Sequence, residues 1–446
     1  MKSLPPLGPG ERQFLLSGAR LEPSADELAR FRQLAESPLD WETIVAHAQL
    51  HSIAPLIHRN LTRIRGDLEI PPPAHRSLLK LSHRTGFQNR HYATENARLL
   101  TDFSEAGLAA LIPKGISLVE HVYHNLSLRP LIDLMFLIES EQVEQVDDLM
   151  RDRGYVLKPH RPGDGLFRWS CPQRVYRVVR DIEVDVLLVW NLVTWPRLHP
   201  WDPEPVWQRA RTVEVSGREA LILSPEDLVL YLCLQADNHG FFNRSLLDGA
   251  CPDDLLFAEW SNNRIIRFTD IYETVRHFER LDWDAVIARA RASELLEALH
   301  ASLWLTNALI GPTVSTEILA ELRDQLRSRR GVRKWVATGL RRANGPDPVG
   351  PAGRIGRAWC RLRPLQQLRL ARLIGWLEVT FPGGRDLRSR YDLDSEVGVT
   401  RIYIAHGARA LARSAASLTS AYLAKIAGGL RSRGRAAVLA RRSDSP

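Results

Sequence analysis

Cysteine is scarce in this chain and is nowhere grouped. The four residues, Cys171, Cys233, Cys251 and Cys360, leave no CxxC spacing among 446 residues. That scatter argues against a zinc site or a disulfide framework and predicts a reducing, cytoplasmic setting. No run of about 18 apolar residues occurs, so no transmembrane helix is predicted. The opening Met1-Lys2-Ser3-Leu4-Pro5-Pro6 has no apolar stretch behind its charge, so no secretory leader is predicted. Internal repeats are absent. So is regular interleaving of aromatic with basic residues, which argues against nucleic acid as a partner.

What is present suits a globular protein of two or three domains. Hydrophobic residues at 44% and charged residues at 25% are ordinary for such chains, and twelve Trp with twelve Phe can fill sizeable cores. The charge is uneven. Residues 321–446 hold 26 Lys+Arg against 9 Asp+Glu, whereas the first 320 hold 34 against 43. A basic tail on an acidic body predicts an anionic partner, either external or the body itself. An arginine-rich coding bias would produce the same tail.

The pattern changes along the chain in a definite order. Residues 1–100 read as a helical N-terminal region. Ser24 and Glu27 form a predicted capping box, and Pro71-Pro72-Pro73 precedes a long helix over about 74–106. Residues 101–195 read as an α/β core. Its predicted strands lie at 108–112, at 131–138 and within 155–190, with helices at about 116–125 and 141–152. This block is predicted to be the only α/β part of the chain. Residues 196–342 read as a helical domain opened by Ser224-Pro225-Glu226-Asp227, a cap, a proline at N1 and two acids. Further helices are predicted at about 265–280, 284–300 and 301–310. Residues 343–353 form a Gly/Pro linker, and 354–446 a basic helical C-terminal region. In that last region Ile404, Ala408, Leu411, Ala415, Leu418, Tyr422 and Ile426 draw one apolar stripe over 399–428. The stripe fits either packing on the body or binding to an anionic membrane surface. The predicted fold class is therefore α+β: a small mixed sheet embedded in mainly helical regions.

Chemistry concentrates in the α/β core. Asp133 is a single acid in the apolar run Leu131-Ile132-Asp133-Leu134-Met135-Phe136-Leu137-Ile138, and Asp185 sits in Ile182-Glu183-Val184-Asp185-Val186-Leu187-Leu188-Val189. Acids on neighbouring strands can hold divalent cations, which clamp a triphosphate and activate a hydroxyl. Lys114-Gly115 is a turn before a helix, where backbone N–H groups can approach phosphate. Arg129 is placed either to hold phosphate or to fix the strand. A lone acid at a strand's wet end and an ordinary Lys-Gly turn are the plain structural readings of the same residues.

The order Lys114-Gly115, then Arg129-Pro130-Leu131-Ile132-Asp133 and Leu137, resembles the uncharacterised bacterial nucleotidyltransferases of the polymerase-β-like superfamily. Their pattern is approximately Leu-Lys-Gly-Ala, a helix, Arg-x-x-x-Asp-Ile-Asp-Leu-Leu-Val, and a later Asp-x-His. The resemblance extends to Asp40-Trp41, His51-Ser52-Ile53-Ala54-Pro55-Leu56, and Ser224 through His239-Gly240. It also takes in Phe268-Thr269-Asp270-Ile271 and the segment Thr380-Phe381-Pro382 to Tyr391. It implies a nucleotidyltransferase-like core that moves a nucleotidyl group from an NTP to an unknown hydroxyl acceptor. Asp133 and Asp185 would bind Mg²⁺ as the catalytic acids. Lys114, Gly115 and Arg129 would bind the nucleotide. His239 would contact substrate or cap its helix locally.

Three residues depart from that pattern. Met135 stands at the second Asp, Leu187 at the His of Asp-x-His, and Gln235 at the first His of the helical region. A thioether is a poor Mg²⁺ ligand. Glu139 lies four residues on from position 135, about 13 Å along the strand and too far to substitute, whereas Glu183 shares a face with Asp185. The pattern thus implies either an active transferase or an impaired member that binds a nucleotide or serves in assembly, at a membrane surface or elsewhere.

Overall fold

A computed structural model describes residues 5–64, 66, 68–158, 172–193, 201–240, 256–257 and 264–326. All fall in one of the two units into which the chain divides, Met1–Pro159 with Pro172–Gly353. The other unit, His160–Cys171 with Arg354–Pro446, lies outside the described residues, as do the 343–353 linker, the 380–391 motif and the 399–428 stripe.

The N-terminal region is helical, and its sequence explains where each helix starts. Helix α1 (Pro9–Ser17) is followed by α2 (Ala25–Ala35), which opens on the predicted capping box: Ser24 Oγ accepts from the Glu27 amide while the Glu27 carboxylate accepts from the Ser24 amide. Helix α3 (Trp41–Leu50) starts on Asp40, whose carboxylate accepts from the amides of Glu42 and Thr43. Helix α4 (Ala54–Arg63) follows after His51 and Ser52, with Ser52 at φ 62°. Phe14, Phe31, Ile44, Ala48, Leu56 and Ile57 bury the facing stripes in one core. The triple proline launches the 34-residue α5 (Pro72–Glu105).

The sheet then forms around a buried centre. Strand β1 (Ala110–Ile112) leads through the Lys114-Gly115 turn into α6 (Ile116–His121) and on to β2 (Leu134–Ile138). Helix α7 (Val143–Asp152) and strands β3 (Val156–Leu157), β4 (Gln173–Val179) and β5 (Glu183–Val189) follow. Among the described residues the sheet has seven strands, in the order β3-β4-β5-β2-β1 and then two more, described below. Strands β2 and β5 run parallel, with Leu134 opposite Val186 and Met135 opposite Leu187. Strand β2 is buried on both faces, which suits its continuous apolar run. Leu134, Phe136 and Ile138 enter one core with α5 and α7, while Met135 and Leu137 enter the other with the helical regions.

The last two strands were not expected from the sequence. After α8 (Glu204–Gln208), the hairpin β6 (Arg211–Val215) and β7 (Arg218–Ile222) extends the sheet, with β7 parallel to β1. The α/β part is therefore not confined to one block. Its turn is Ser216-Gly217, with φ of 54° and 72°, as a two-residue hairpin of the twisted kind requires. The Glu120 carboxylate holds it by accepting from the Ser216 amide at 2.7 Å.

A helical layer closes over the Met135 face. Helix α9 (Pro225–Gly240) opens as predicted, with Ser224 Oγ accepting from the Asp227 amide. Asp227 is fully buried and is gripped by Arg209 Nε at 2.8 Å and Arg289 Nη1 at 3.1 Å. Helices α10 (Ile265–His277), α11 (Trp283–Ala292) and α12 (Leu296–Leu309) pack against α9. The predicted 284–300 helix breaks near Glu294, which takes φ 56°. Among the described residues no helix is long and apolar enough to cross a membrane.

Candidate functional site

A cavity of about 410 Å³ opens between the ends of β2 and β5 and the helices α9 and α10. Its lining gathers residues from seven segments along the chain, two of them the start of β4 and the end of β5. Ser52 comes from the α3–α4 turn, Lys114 and Gly115 from the β1–α6 turn, and Arg129 through Met135 from the approach to β2. Tyr231 and Gln235 project from α9, and Arg264, Arg267 and Asp270 from the start of α10. The volume falls within the range of small-ligand sites.

The Lys-Gly turn is shaped as the sequence suggests. Gly115 has φ 79° and ψ −107°, a conformation that side chains other than hydrogen strain. Lys114 Nζ makes no hydrogen bond or ion pair among the described residues. Burial pushes its pKa below the ordinary lysine value, opposed by the Asp133 carboxylate across the cavity. Asp133 is also without a hydrogen bond or ion pair among the described residues. Two oppositely charged side chains thus share one cavity without touching.

Arg129 plays the other part read for it. Its guanidinium makes a two-pronged pair with Asp270, Nε to Oδ1 at 2.8 Å and Nη2 to Oδ2 at 2.7 Å. Tyr123 donates a further hydrogen bond to Asp270 Oδ1 at 2.8 Å. Both charges are nearly buried, so the pair ties the approach to β2 onto α10. This also explains the Phe268-Thr269-Asp270-Ile271 motif, whose acid is the anchor point.

Asp185 stands beside Asp133 in register, one step before the Leu134–Val186 pair on each strand. It is not among the residues that line the cavity. Lys158 Nζ donates to its Oδ2 at 2.8 Å, and Arg177 Nε donates to its Oδ1 at 2.8 Å. Burial pushes its carboxyl up, but the hydrogen bonds from Arg177 and Lys158 outweigh this and hold it below the ordinary value. Glu183 pairs with the same guanidinium, Arg177 Nη1 lying 2.8 Å from its Oε1. Burial, and then the carboxylates of Asp133, Asp185 and Glu183, push the Tyr92 phenol up to about 12. The three acids therefore act on one hydroxyl, which itself donates to the Ile132 carbonyl at 3.0 Å, though two of them are already bound to cations.

All three departures line the cavity: Met135, Leu187 and Gln235. Met135 is buried, and Tyr231 donates its hydroxyl to the sulfur at 3.3 Å. Among the described residues no group of three or more His, Cys, Asp and Glu is arranged to hold a metal ion. His239 lies in the last turn of α9, and its side chain is outside the described residues.

Sequence reasoning missed Arg264, Arg267 and Ser52. Arg264 Nη1 donates to Ser52 Oγ at 3.3 Å, which joins the N-terminal helices to the start of α10. The His51-Ser52 motif and the Asn262-Asn263-Arg264 stretch before a helix were the available signals, separated by more than 200 residues.

No curated protein matches the chain. Among solved structures, it is similar to an antigenic nucleotidyltransferase-like protein from Paracoccidioides brasiliensis, at 13% identity over 49% of this chain and 93% of that one. The TM-score of 0.28 makes that likeness too loose to bear on function. A family described as uncharacterised nucleotidyltransferase matches residues 37–311, which takes in helices α3 to α12, the whole sheet and the cavity. The chain belongs to this uncharacterised nucleotidyltransferase family.

Proposed function

We propose that this chain binds a nucleotide in the cavity beneath α9 and α10 and does not run the two-metal transfer expected of an active relative. Family membership, the glycine turn and the cavity with its unpaired lysine support nucleotide binding. The observation that carries the second half is Met135. Its sulfur fills the position of the second carboxylate and is tied to the Tyr231 hydroxyl. Mg²⁺ wants hard oxygen donors in near-octahedral array. Asp133 offers such oxygens, but the oxygens of Asp185 already accept from Lys158 and Arg177. The donor set does not fit a pair of Mg²⁺ ions.

One observation favours the active reading. Asp133 has no hydrogen-bond partner among the described residues and stands next to Asp185 in register. In that case the reaction is nucleotidyl transfer from an NTP to an unknown hydroxyl acceptor.

Calorimetric titration with each of the four NTPs, beside Asp133→Ala, tests the binding. Radiolabel transfer by the native chain and by Met135→Asp tests the chemistry. The proposal expects NTP binding by the native chain and transfer only after the substitution. Equal transfer by both would sink the impaired reading, and no binding of any NTP would sink both.

A further inference from the structure

The cavity has two chemically different ends, and the strand register sets the distance between them. Asp133 stands one step before the Leu134–Val186 pair. The next rows on that side of the sheet are Met135 beside Leu187, then Leu137 beside Val189 and Gln173. Asp133, Met135, Leu187, Val189 and Gln173 all line the cavity. Gln173 is therefore four residues of strand from the Asp133 row, about 13 Å along the sheet. Between the two rows the floor is apolar, made by Met135, Leu187 and Val189.

The Asp133 end holds the Lys114-Gly115 turn. A Cβ on Gly115 would come to 4.0 Å from the Asp133 carbonyl oxygen, so the turn lies against that residue. Both carboxylates of the lining belong to this end: Asp133 itself, and Asp270, which Arg129 grips. The far end is neutral, lined by Pro172, Gln173, Asn191, Leu192 and Val193. Asn191 is committed to its own loop. Its Oδ1 accepts from the Val193 amide at 3.0 Å, and its Nδ2 donates to the Trp201 carbonyl at 3.4 Å. The Gln173 carboxamide is half-buried and makes no hydrogen bond among the described residues. A half-buried carboxamide facing a cavity calls for a partner that both donates and accepts.

We infer that Gln173 reads the base of the bound nucleotide and selects adenine. This rests on the nucleotide-binding reading above and adds which nucleotide the cavity takes. With the phosphates at the Lys114-Gly115 turn, the base lies on the Leu187–Val189 floor and brings its polar edge to Gln173. A carboxamide gives one hydrogen bond and takes one, side by side. Adenine answers that pair in full, with N6–H next to a ring nitrogen acceptor. Guanine presents the N1–H and N2–H donors together, and the lining has no carboxylate at this end to accept both. Cytosine and uracil can match the carboxamide, but a single ring covers less of the apolar floor than a purine does.

The test is calorimetric titration of the full chain with ATP, GTP, CTP and UTP in Mg²⁺ buffer, repeated with Gln173→Leu and Gln173→Glu. Gln235→Leu serves as the comparison, since it removes another carboxamide of the lining, one turn after Tyr231 on α9. Thermal unfolding checks that each variant is folded. The native chain should bind ATP about tenfold more tightly than the other three. Gln173→Leu should lose that margin, and Gln235→Leu should keep it. Gln173→Glu should turn the preference to GTP, because a carboxylate accepts from N1–H and N2–H together. If Gln173→Leu does not fold, the ratio of GTP to ATP binding in Gln173→Glu decides. A native chain that binds all four alike, or favours another base, overturns the assignment and leaves the nucleotide reading standing. So does an ATP margin that survives both changes at Gln173, or one that disappears in Gln235→Leu. If no NTP binds the native chain, the reading on which the assignment rests falls with it.

Discussion

The Tyr231 hydroxyl donates to the Met135 sulfur at 3.3 Å, inside the core that α9 shares with the central strand β2. A buried phenol needs a hydrogen-bond partner, and the thioether provides a weak one. The residue that departs from the family pattern is thus integrated into the packing, with strand neighbours Leu187 and Leu137. Replacing it with an acid puts a carboxylate where burial disfavours charge. Met135→Asp is expected to lose about 2–5 kcal/mol of stability in urea unfolding with EDTA present. Tyr231→Phe should lose only about 0.5–1.5 kcal/mol, since it deletes one weak bond. Equal losses in the two variants would mean that position 135 is more open to water than its burial implies.

Arg129 and Asp270 invite a second measurement. Both are nearly buried, and Tyr123 adds a third hydrogen bond to the same carboxylate. Breaking such a pair from one side leaves an uncompensated charge and costs about 3–5 kcal/mol. Asp270→Asn and Arg129→Met should each show a loss of that order. The double variant should lose clearly less than the sum, which a double-mutant cycle in urea measures. Additive losses would mean that the two charges are stabilised independently.

His51 gives a pH dependence with a definite sign. Burial first, then His47 and Arg264, lower its pKa to about 3. The folded value lies below the ordinary one of 6.5, so the unfolded chain binds the proton between these limits. Stability from the neutral ring is therefore complete above about pH 6.5 and falls as the pH drops from there toward 3. Because His51 Nδ1 accepts from the Ile265 amide, the proton would also cost that contact. His51→Asn removes the titration and keeps an acceptor. Its stability should change less between pH 7 and about pH 4 than that of the native chain. Parallel pH profiles would mean that the ring charges without penalty.

Much of this was legible in the sequence because it is local. The Ser24–Glu27 box, the Asp40 cap and the Ser224-Pro225-Glu226-Asp227 start act within one turn of helix. The β2 and β5 strands declare themselves by apolar runs with single acids. Lys114, Gly115, Arg129, Asp133, Met135, Leu187 and Gln235 all line one cavity, whereas Asp185 does not. What was hidden depends on distance along the chain. Arg129 is 141 residues from Asp270, so spacing could not choose between a phosphate contact and a structural pair. The β6–β7 hairpin is local as well, but its strands are five residues each and half-exposed, so no apolar run marks them. Nothing in the local pattern announces that Lys158 reaches Asp185, 27 residues on.

That last contact has a measurable consequence. Burial raises the Asp185 carboxyl, but the hydrogen bonds from Arg177 and Lys158 leave it below the ordinary value of 3.8. The folded value is depressed, so its stabilising contribution is present above the unfolded pKa and is lost as the pH falls through the folded value. In the native chain that loss belongs to strongly acidic solution, below 3.8. Lys158→Ala removes one of the two cations and should move the Asp185 titration upward. Carboxyl-detected NMR titration follows it directly. Arg177→Ala should act in the same direction, and also release Glu183, whose carboxylate lies 2.8 Å from the same guanidinium. A freed Asp185 would again offer oxygens beside Asp133. The Lys158→Ala chain should accordingly show a larger Mg²⁺-induced shift at Asp185 than the native chain. An equal Mg²⁺ response in both would mean that Lys158 does not hold that carboxylate against a metal ion.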